Sequence, residues 1–320
     1  MINKLFHIHA LAPLHVGSGQ AIGNIDLPIV RERSTHLPLL PGSGLKGVLR
    51  DAYTREDKDL LFGPEAASTD PNAFAGALSV GDARLLILPV RSLVGVVAFV
   101  TCPFILKKYR NDLVRTGQNP ANLIAVTDPS PETAIVTSDT ILTVREQLAT
   151  KMFLEDLDIA VDASDIAVDA SDFVDGQTNE KKLKSSSADE WAKLIGNAVF
   201  GKITANVDEF KRRFCIVPDD VFSFLADTAM EIRARIRIGA NGVVVKGALW
   251  YEENLPAETI LWGLLGVTDA RKKDSTLTAA TLIKNLAGSL SANPEIQLGG
   301  KATVGRGIAN IKINDYQVET

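Results

Sequence analysis

Between Glu231 and Glu253 the chain reads EIRARIRI, then Gly239-Ala240-Asn241-Gly242, then VVVKGALWYEE. Two runs joined by so short a glycine-bearing turn pair antiparallel, and that sets the fold class. Elsewhere strands and helices alternate without a βαβ rhythm. Lys4 to His15 alternates as a strand does, Gly44 to Tyr53 suits a helix, and residues 189–200 (DEWAKLIGNAVF) form an amphipathic helix with Asp189 as its cap. The expectation is an α+β fold, mainly antiparallel, with insertions. At 320 residues and 46% hydrophobic content the chain can bury a substantial core. A single domain over 1–320 is expected.

Cys102 and Cys215 are far apart and lack a metal-type Cys/His spacing, so neither a disulfide framework nor a zinc site is indicated. The opening MINKLFHIHALAPLH has no apolar core of a signal peptide, which points to the cytoplasm. Leu85 to Leu106 is long enough to span a bilayer, but Arg91 lies inside it and Pro89 and Pro103 divide it. Two buried strands joined by a turn are the better reading, and no membrane partner is expected.

A net charge of −5 argues at first against a polyanionic ligand. The distribution reverses this. Residues 152–180 carry nine acids and no Lys or Arg; removing those nine from −5 leaves the remainder at +4. The same stretch repeats IAVDASD at 159–165 and 166–172, so 152–188 reads as an acidic, flexible surface insertion. A calcium loop is the alternative, although the glycine and terminal glutamate of an EF-hand are missing.

Glycine concentrates in three loops: His15-Val16-Gly17-Ser18-Gly19-Gln20, Pro41-Gly42-Ser43-Gly44-Leu45-Lys46-Gly47, and Gly299-Gly300-Lys301-Ala302-Thr303-Val304-Gly305-Arg306-Gly307. Such loops let backbone N–H groups approach phosphate, and any one of them can equally be a tight turn. The second matches G-x-G-x-x-G, but HLPLLP before it makes a poor central parallel strand, and Gly47 stands where a P-loop needs Ser or Thr. On the strand 231–238, Arg233, Arg235 and Arg237 share one face, which suits either a phosphate backbone or ordinary solvent. With aromatics at 6%, grip on backbone charge is expected over base stacking.

Taken together, LAPLHVGSGQAIGNIDLPIVRE, LPLLPGSGLKGVLRD and LGGKATVGRG resemble the RAMP superfamily of CRISPR proteins, and more narrowly the backbone subunits of type III-B (Cmr) effector complexes. DARLLILPVRSLVGVVAFVTCP and GALWYEENLPAETILW are similar to the same subunits, so the resemblance covers most of the chain. It implies a modified ferredoxin-like, RRM-related palm with an inserted hairpin that wedges into a guide–target duplex. It also implies copies of the chain stacked head to tail along a guide crRNA beside other Cmr subunits. Target single-stranded RNA would be cut at regular intervals by an endoribonuclease activity that uses Mg²⁺ or Mn²⁺. The insertion at 152–180 lies outside the pattern.

By the same resemblance Asp26 is the carboxylate on which cleavage depends, as base or as metal ligand. That fits RNA chemistry, in which a positioned group deprotonates the 2′-OH. Read from the sequence alone, an Asp before Leu-Pro caps local backbone. His15 is a candidate general acid or a turn histidine. Gly17, Ser18, Ser43, Lys46, Arg50, Gly300, Lys301, Gly305 and Arg306 are the expected RNA contacts. Glu252 and Glu253 are candidates for assisting Asp26, with a surface pair at a strand end the plainer account. Three functions compete: a guide-bound endoribonuclease subunit, a scaffold without its own cleavage, and a nucleotide-binding small-molecule enzyme.

Overall fold

The computed structural model describes residues 1–20, 25–65, 73–119, 122–146, 149–161, 187–201 and 203–314. In chain order the elements are β1 (Ile2–Ala10), β2 (Leu39–Leu40), α1 (Gly42–Ala52), α2 (Lys58–Phe62), β3 (Leu78–Val80), β4 (Ala83–Ser92), β5 (Val96–Thr101) and α3 (Pro103–Arg115). Then come β6 (Thr133–Val136), β7 (Thr143–Glu146), β8 (Ala149–Leu154), β9 (Leu157–Val161), α4 (Ser187–Phe200), α5 (Thr204–Arg212), β10 (Phe214–Ile216) and α6 (Asp219–Thr228). The last third holds β11 (Glu231–Ile238), β12 (Val244–Asn254), β13 (Ile260–Val267), α7 (Ala279–Ala292), β14 (Glu295–Gln297) and β15 (Ile308–Asn314). The chain forms two compact units, Met1–Leu86 with Asn111–Pro120 and Met230–Thr320, and Ile87–Arg110 with Ala121–Ala229. Each unit is assembled from separated stretches, so no linker composition marks them.

In the first unit β1 lies between β13 and β15, antiparallel to both, with β14 continuing the sheet beyond β15 and β3 pairing β13. Leu5, Phe6, His7 and Ile8 are all buried in succession, so both faces of β1 are covered at its centre. Helix α7 buries Ala279, Leu282, Ile283, Leu286 and Leu290, an apolar stripe at helical spacing, and Thr278 caps it by accepting the Thr281 N–H. Helix α1 is pinned at its first residue. A Cβ on Gly42 would lie 2.4 Å from the Val80 carbonyl oxygen, and the Gly42 N–H donates to Asp82 Oδ1 at 2.8 Å. Strands β11 and β12 form a two-stranded sheet of their own, from Glu231↔Asn254 to Ile238↔Val244, with a bulge before the last pair.

In the second unit the end of β4 pairs β5, followed by β10, β6, β9, β8 and β7; β10 is parallel to β5 and β6 to β9. The long apolar run after residue 84 is thus two strands and the start of a helix; Pro103 opens that helix, but Pro89 lies inside β4 opposite Phe99, and the turn between the strands falls at 93–95. Among the described residues no helix is long and apolar enough to cross a membrane. The acidic insertion begins later than expected. Residues 152–161 belong to β8 and β9, and Ile159 and Val161 are buried, because the alternation in LDIAV matches a strand with one covered face. Residues 162–186, including the second heptapeptide, lie outside the described residues. Helix α4 starts at Ser187, so Asp189 sits in its first turn rather than at its cap, accepting from the Ser138 N–H and hydroxyl. The whole is a mixed α+β architecture of the ferredoxin-like kind with added strands and helices.

His7 supplies a pH test of the first unit. Burial lowers its pKa from 6.5 to about 4, outweighing its bond to Asn314 and aided by the Lys312 charge. The folded state therefore favours the neutral ring. Stability from this group is complete above pH 6.5 and is lost as pH falls toward 4, by about 3 kcal/mol. Denaturant unfolding at both pH values should show that loss, and His7→Gln should remove most of it; an identical loss in the variant would assign it elsewhere.

Candidate functional site

The first and third glycine loops interlock through backbone hydrogen bonds. Gly300 N–H donates to His15 O at 3.0 Å and Gly307 N–H to Pro13 O, while Val30 N–H to Val16 O and Ser18 N–H to Pro28 O join the first loop to the segment after Asp26. Glycine is required at two of these positions. Gly299 has φ +72° and a Cβ there would meet His15 O at 2.3 Å; Gly307 has φ +85° and would meet Leu298 O at 2.2 Å. Between them Ala302–Val304 make a single 3-10 turn flanked by Lys301 and Gly305 in left-handed conformations. The second loop is the first turn of α1. All three line one cavity of about 460 Å³, with Gly17, Ser43, Gly44, Gly299 and Gly300 at its wall and Leu40, Leu45 and Leu298 among its apolar lining.

Asp26 is exposed, on a short extended segment that runs parallel to the end of β12. Leu27 N–H donates to Tyr251 O at 3.1 Å, and Glu253 N–H donates to Leu27 O at 3.0 Å. The Asp26 carboxylate accepts the Tyr251 N–H at 2.8 Å through Oδ2, and among the described residues nothing else bonds it. The capping of local backbone that its sequence context suggests is not seen among the described residues; the carboxylate reaches a strand 225 residues away instead. One oxygen fixes the carboxylate, and the other has no hydrogen-bond partner among the described residues. His15 is buried, with Nδ1 at 2.7 Å from Glu253 O. A ring nitrogen facing a carbonyl oxygen must carry a proton, so Nδ1 is the donor. His15 therefore has a structural partner on the strand that holds Asp26.

Glu252 and Glu253 are not a surface pair: they are 1% and 3% exposed. Glu253 binds Arg31 Nη2 at 2.6 Å and the Ile29 N–H at 3.0 Å, tying the Asp26 segment to β12 from the side. Glu252 accepts from Trp250 Nε1 at 2.8 Å and pairs with Lys301 Nζ at 2.9 Å and Arg235 Nε at 3.2 Å. Burial would raise its pKa, but those three donors and the Lys301 charge hold it down at about 2. Glu231 takes Arg233 Nε at 2.6 Å and Arg306 Nη2 at 3.4 Å. Four cations thus face these two carboxylates, and with Asp26 and the adjoining Arg31–Glu253 pair counted the excess is one positive charge, which leaves the loop and hairpin base attractive to an anion.

Of the other expected contacts, Ser43 is exposed at the cavity and Ser18 donates its hydroxyl to Pro28 O. Lys46 donates to Leu78 O at 2.9 Å, and its pKa is lowered by burial and by the Arg271 and Arg50 charges. Arg50 binds the Gly63 carbonyl and Asp59. These two heads lie apart from the Glu231/Glu252 cluster in their bonding. Glu231, Trp250 and Arg31 join the site without a sequence signal of their own; only the alternation in EIRARIRI places Arg235 where it is found. Among the described residues no group of three or more His, Cys, Asp or Glu is arranged to hold a metal ion.

The RAMP superfamily profile matches residues 7–310. The chain is 34% identical over 320 residues to the CRISPR system Cmr endoribonuclease Cmr4 of Pyrococcus furiosus, covering 97% of this chain and 95% of that one. The crystal structure of oligomeric Cmr4 from Pyrococcus furiosus is similar with a TM-score of 0.68 and 29% identity, covering 99% of this chain and 100% of that one. A cryo-EM structure of the type III-B Cmr-beta in its apo state has the same fold, with a TM-score of 0.65 at 22% identity and coverage of 98% of each chain.

Proposed function

The chain belongs to the RAMP superfamily, and from that premise we propose how its site works. It is a backbone subunit of a type III-B effector complex that cleaves target RNA, and its partners are RNA and other subunits of that complex. Guide crRNA runs over the cavity formed by the three glycine loops, with Lys301 and Arg306 facing its phosphates and Ser43 at the helix end. Copies of the chain stack head to tail along the guide in the cytoplasm. The apolar face of β11 and β12, where Ile236 and Leu249 are 49% and 55% exposed, enters the duplex as the wedge.

The observation that carries the catalytic reading is the Asp26 carboxylate, fixed through one oxygen by Tyr251 N–H and, among the described residues, without a partner at the other. The target 2′-oxygen attacks the adjacent phosphorus to form a 2′,3′-cyclic phosphate as its proton passes to Asp26, and the P–O5′ bond breaks with the leaving 5′-oxygen taking a proton from water. In the alternative role, as metal ligand rather than base, one carboxylate suits Mg²⁺ or Mn²⁺, which would take its other ligands from phosphate and water. Asp26 is the residue that would hold it, and the ion would neutralise charge on the phosphorane. His15, bonded to Glu253, keeps the strand under Asp26 in place.

Chain assembled with its partner subunits should retain short RNAs with a common 5′ end. Lys46→Ala, Lys301→Ala and Arg306→Ala should each flatten the salt dependence of retention by about 0.7 in log–log slope. Three unchanged slopes would remove these loops from the RNA path.

A further inference from the structure

The hairpin β11–β12 pairs as a sheet of its own, and an isolated two-stranded ribbon has little intrinsic rigidity. Its base is tied to the third glycine loop at two separate points. From β12, Glu252 reaches Lys301 at the loop's entry; from β11, Glu231 reaches Arg306 near its exit. Asn254 closes the base by donating its side-chain amide to Glu231 O and Glu252 O at 3.2 and 3.3 Å. Tyr251, between Trp250 and Glu252, presents the N–H that holds Asp26. Resting on the proposed RNA-handling role of the loop and Asp26, we propose that Glu231 and Glu252 are positioning residues: a two-point ionic clamp through which RNA held on the loop sets the direction of the hairpin and of the Asp26 carboxylate.

An ion pair with a buried carboxylate is weak support for stability, so the role of these pairs here is direction. An apolar contact would hold the hairpin base against the loop at several angles. A carboxylate taking Trp250, Arg235 and Lys301 at once fixes one angle, and Lys301 accepts a left-handed backbone in the geometry that delivers its ammonium group. Two anchors on opposite strands also resist rotation about the hairpin axis, which one anchor does not.

The test is the double variant Glu231→Gln/Glu252→Gln, with Glu231→Gln alone as a milder form should the double variant fold poorly. In the isolated chain, hydrogen exchange at hairpin amides should speed at least tenfold while exchange in β1 and β13 is unchanged. In the assembled complex, guide retention should stay within threefold, whereas target cutting should slow at least tenfold and the fragments should lose their even spacing. Unchanged hairpin exchange would overturn the clamp. So would fast exchange with a normal ladder, or a parallel fall in melting temperature, retention and cutting, which is the mark of a merely structural pair. If the unmodified complex leaves the target whole, the reading of the site fails, and the exchange measurement then upholds or overturns the clamp by itself.

Discussion

Replacing Asp26 with Asn should reduce target cutting at least a hundredfold while guide and target binding stay within threefold of normal. The substitution isolates charge from shape. Asn keeps a carbonyl oxygen that can accept the Tyr251 N–H now bonded to Oδ2, so the segment beside β12 has no reason to move. What disappears is the anionic oxygen, and a positioned base contributes about 10²–10⁴ in rate. With guide, complementary target and Mg²⁺ or Mn²⁺ present, the unmodified complex should yield evenly spaced fragments and the variant intact target. Replacing the target 2′-OH by hydrogen at the cut positions should block cleavage as completely, because the nucleophile is then gone. An Asn variant that cuts within threefold of the normal rate would remove Asp26 from the chemistry and leave the scaffold reading as the better one.

Replacing Gly299 with Ala should lower the unfolding free energy by about 3 kcal/mol and weaken RNA retention tenfold or more. The left-handed backbone costs a residue with a side chain roughly 1–2 kcal/mol. The new methyl would also sit 2.3 Å from the His15 carbonyl oxygen, which accepts the Gly300 N–H, so relief of the clash breaks a buried hydrogen bond worth about 1 kcal/mol more. Gly305 is the internal control: its φ is +76°, but a Cβ there meets nothing within 4 Å. Gly305→Ala should therefore show only the backbone cost. Equal destabilisation by the two, measured by denaturant unfolding, would show that the loop adjusts freely and that the interlock with His15 is not rigid.

Much of the fold was legible because it depends on neighbours in the chain. Alternation and a glycine-bearing turn specify the 231–254 hairpin, α1 begins where Pro41-Gly42 ends the extended run, and Pro89 and Pro103 rule out a single long helix across 85–106. The three glycine loops and Asp26 were visible as residue types in a pattern, and the family resemblance supplied their meaning. The reading of Glu252 and Glu253 as a surface pair failed for a specific reason. Alternation says that two adjacent strand residues point to opposite faces, but it cannot say that both faces are covered, one by Lys301 and Arg235, the other by Arg31. The helix expected at 189–200 begins at Ser187, and the strand at 157–161 was not expected because the acidic composition around it hides the apolar alternation of Ile159 and Val161.

By itself, then, the sequence determined the local elements, the antiparallel class and the family, since these rest on periodicities and motifs that span a few residues each. Tertiary structure alone decided which oxygen of Asp26 is held and by what, that His15 bonds the Glu253 carbonyl, and that Lys301 and Arg306 meet Glu252 and Glu231. Those contacts join residues 49 to 238 positions apart, excluding none of the candidates in advance. A charged side chain does not encode its partner: its choice is fixed only when strand register and loop path bring one opposite charge within about 4 Å and exclude water from the pair.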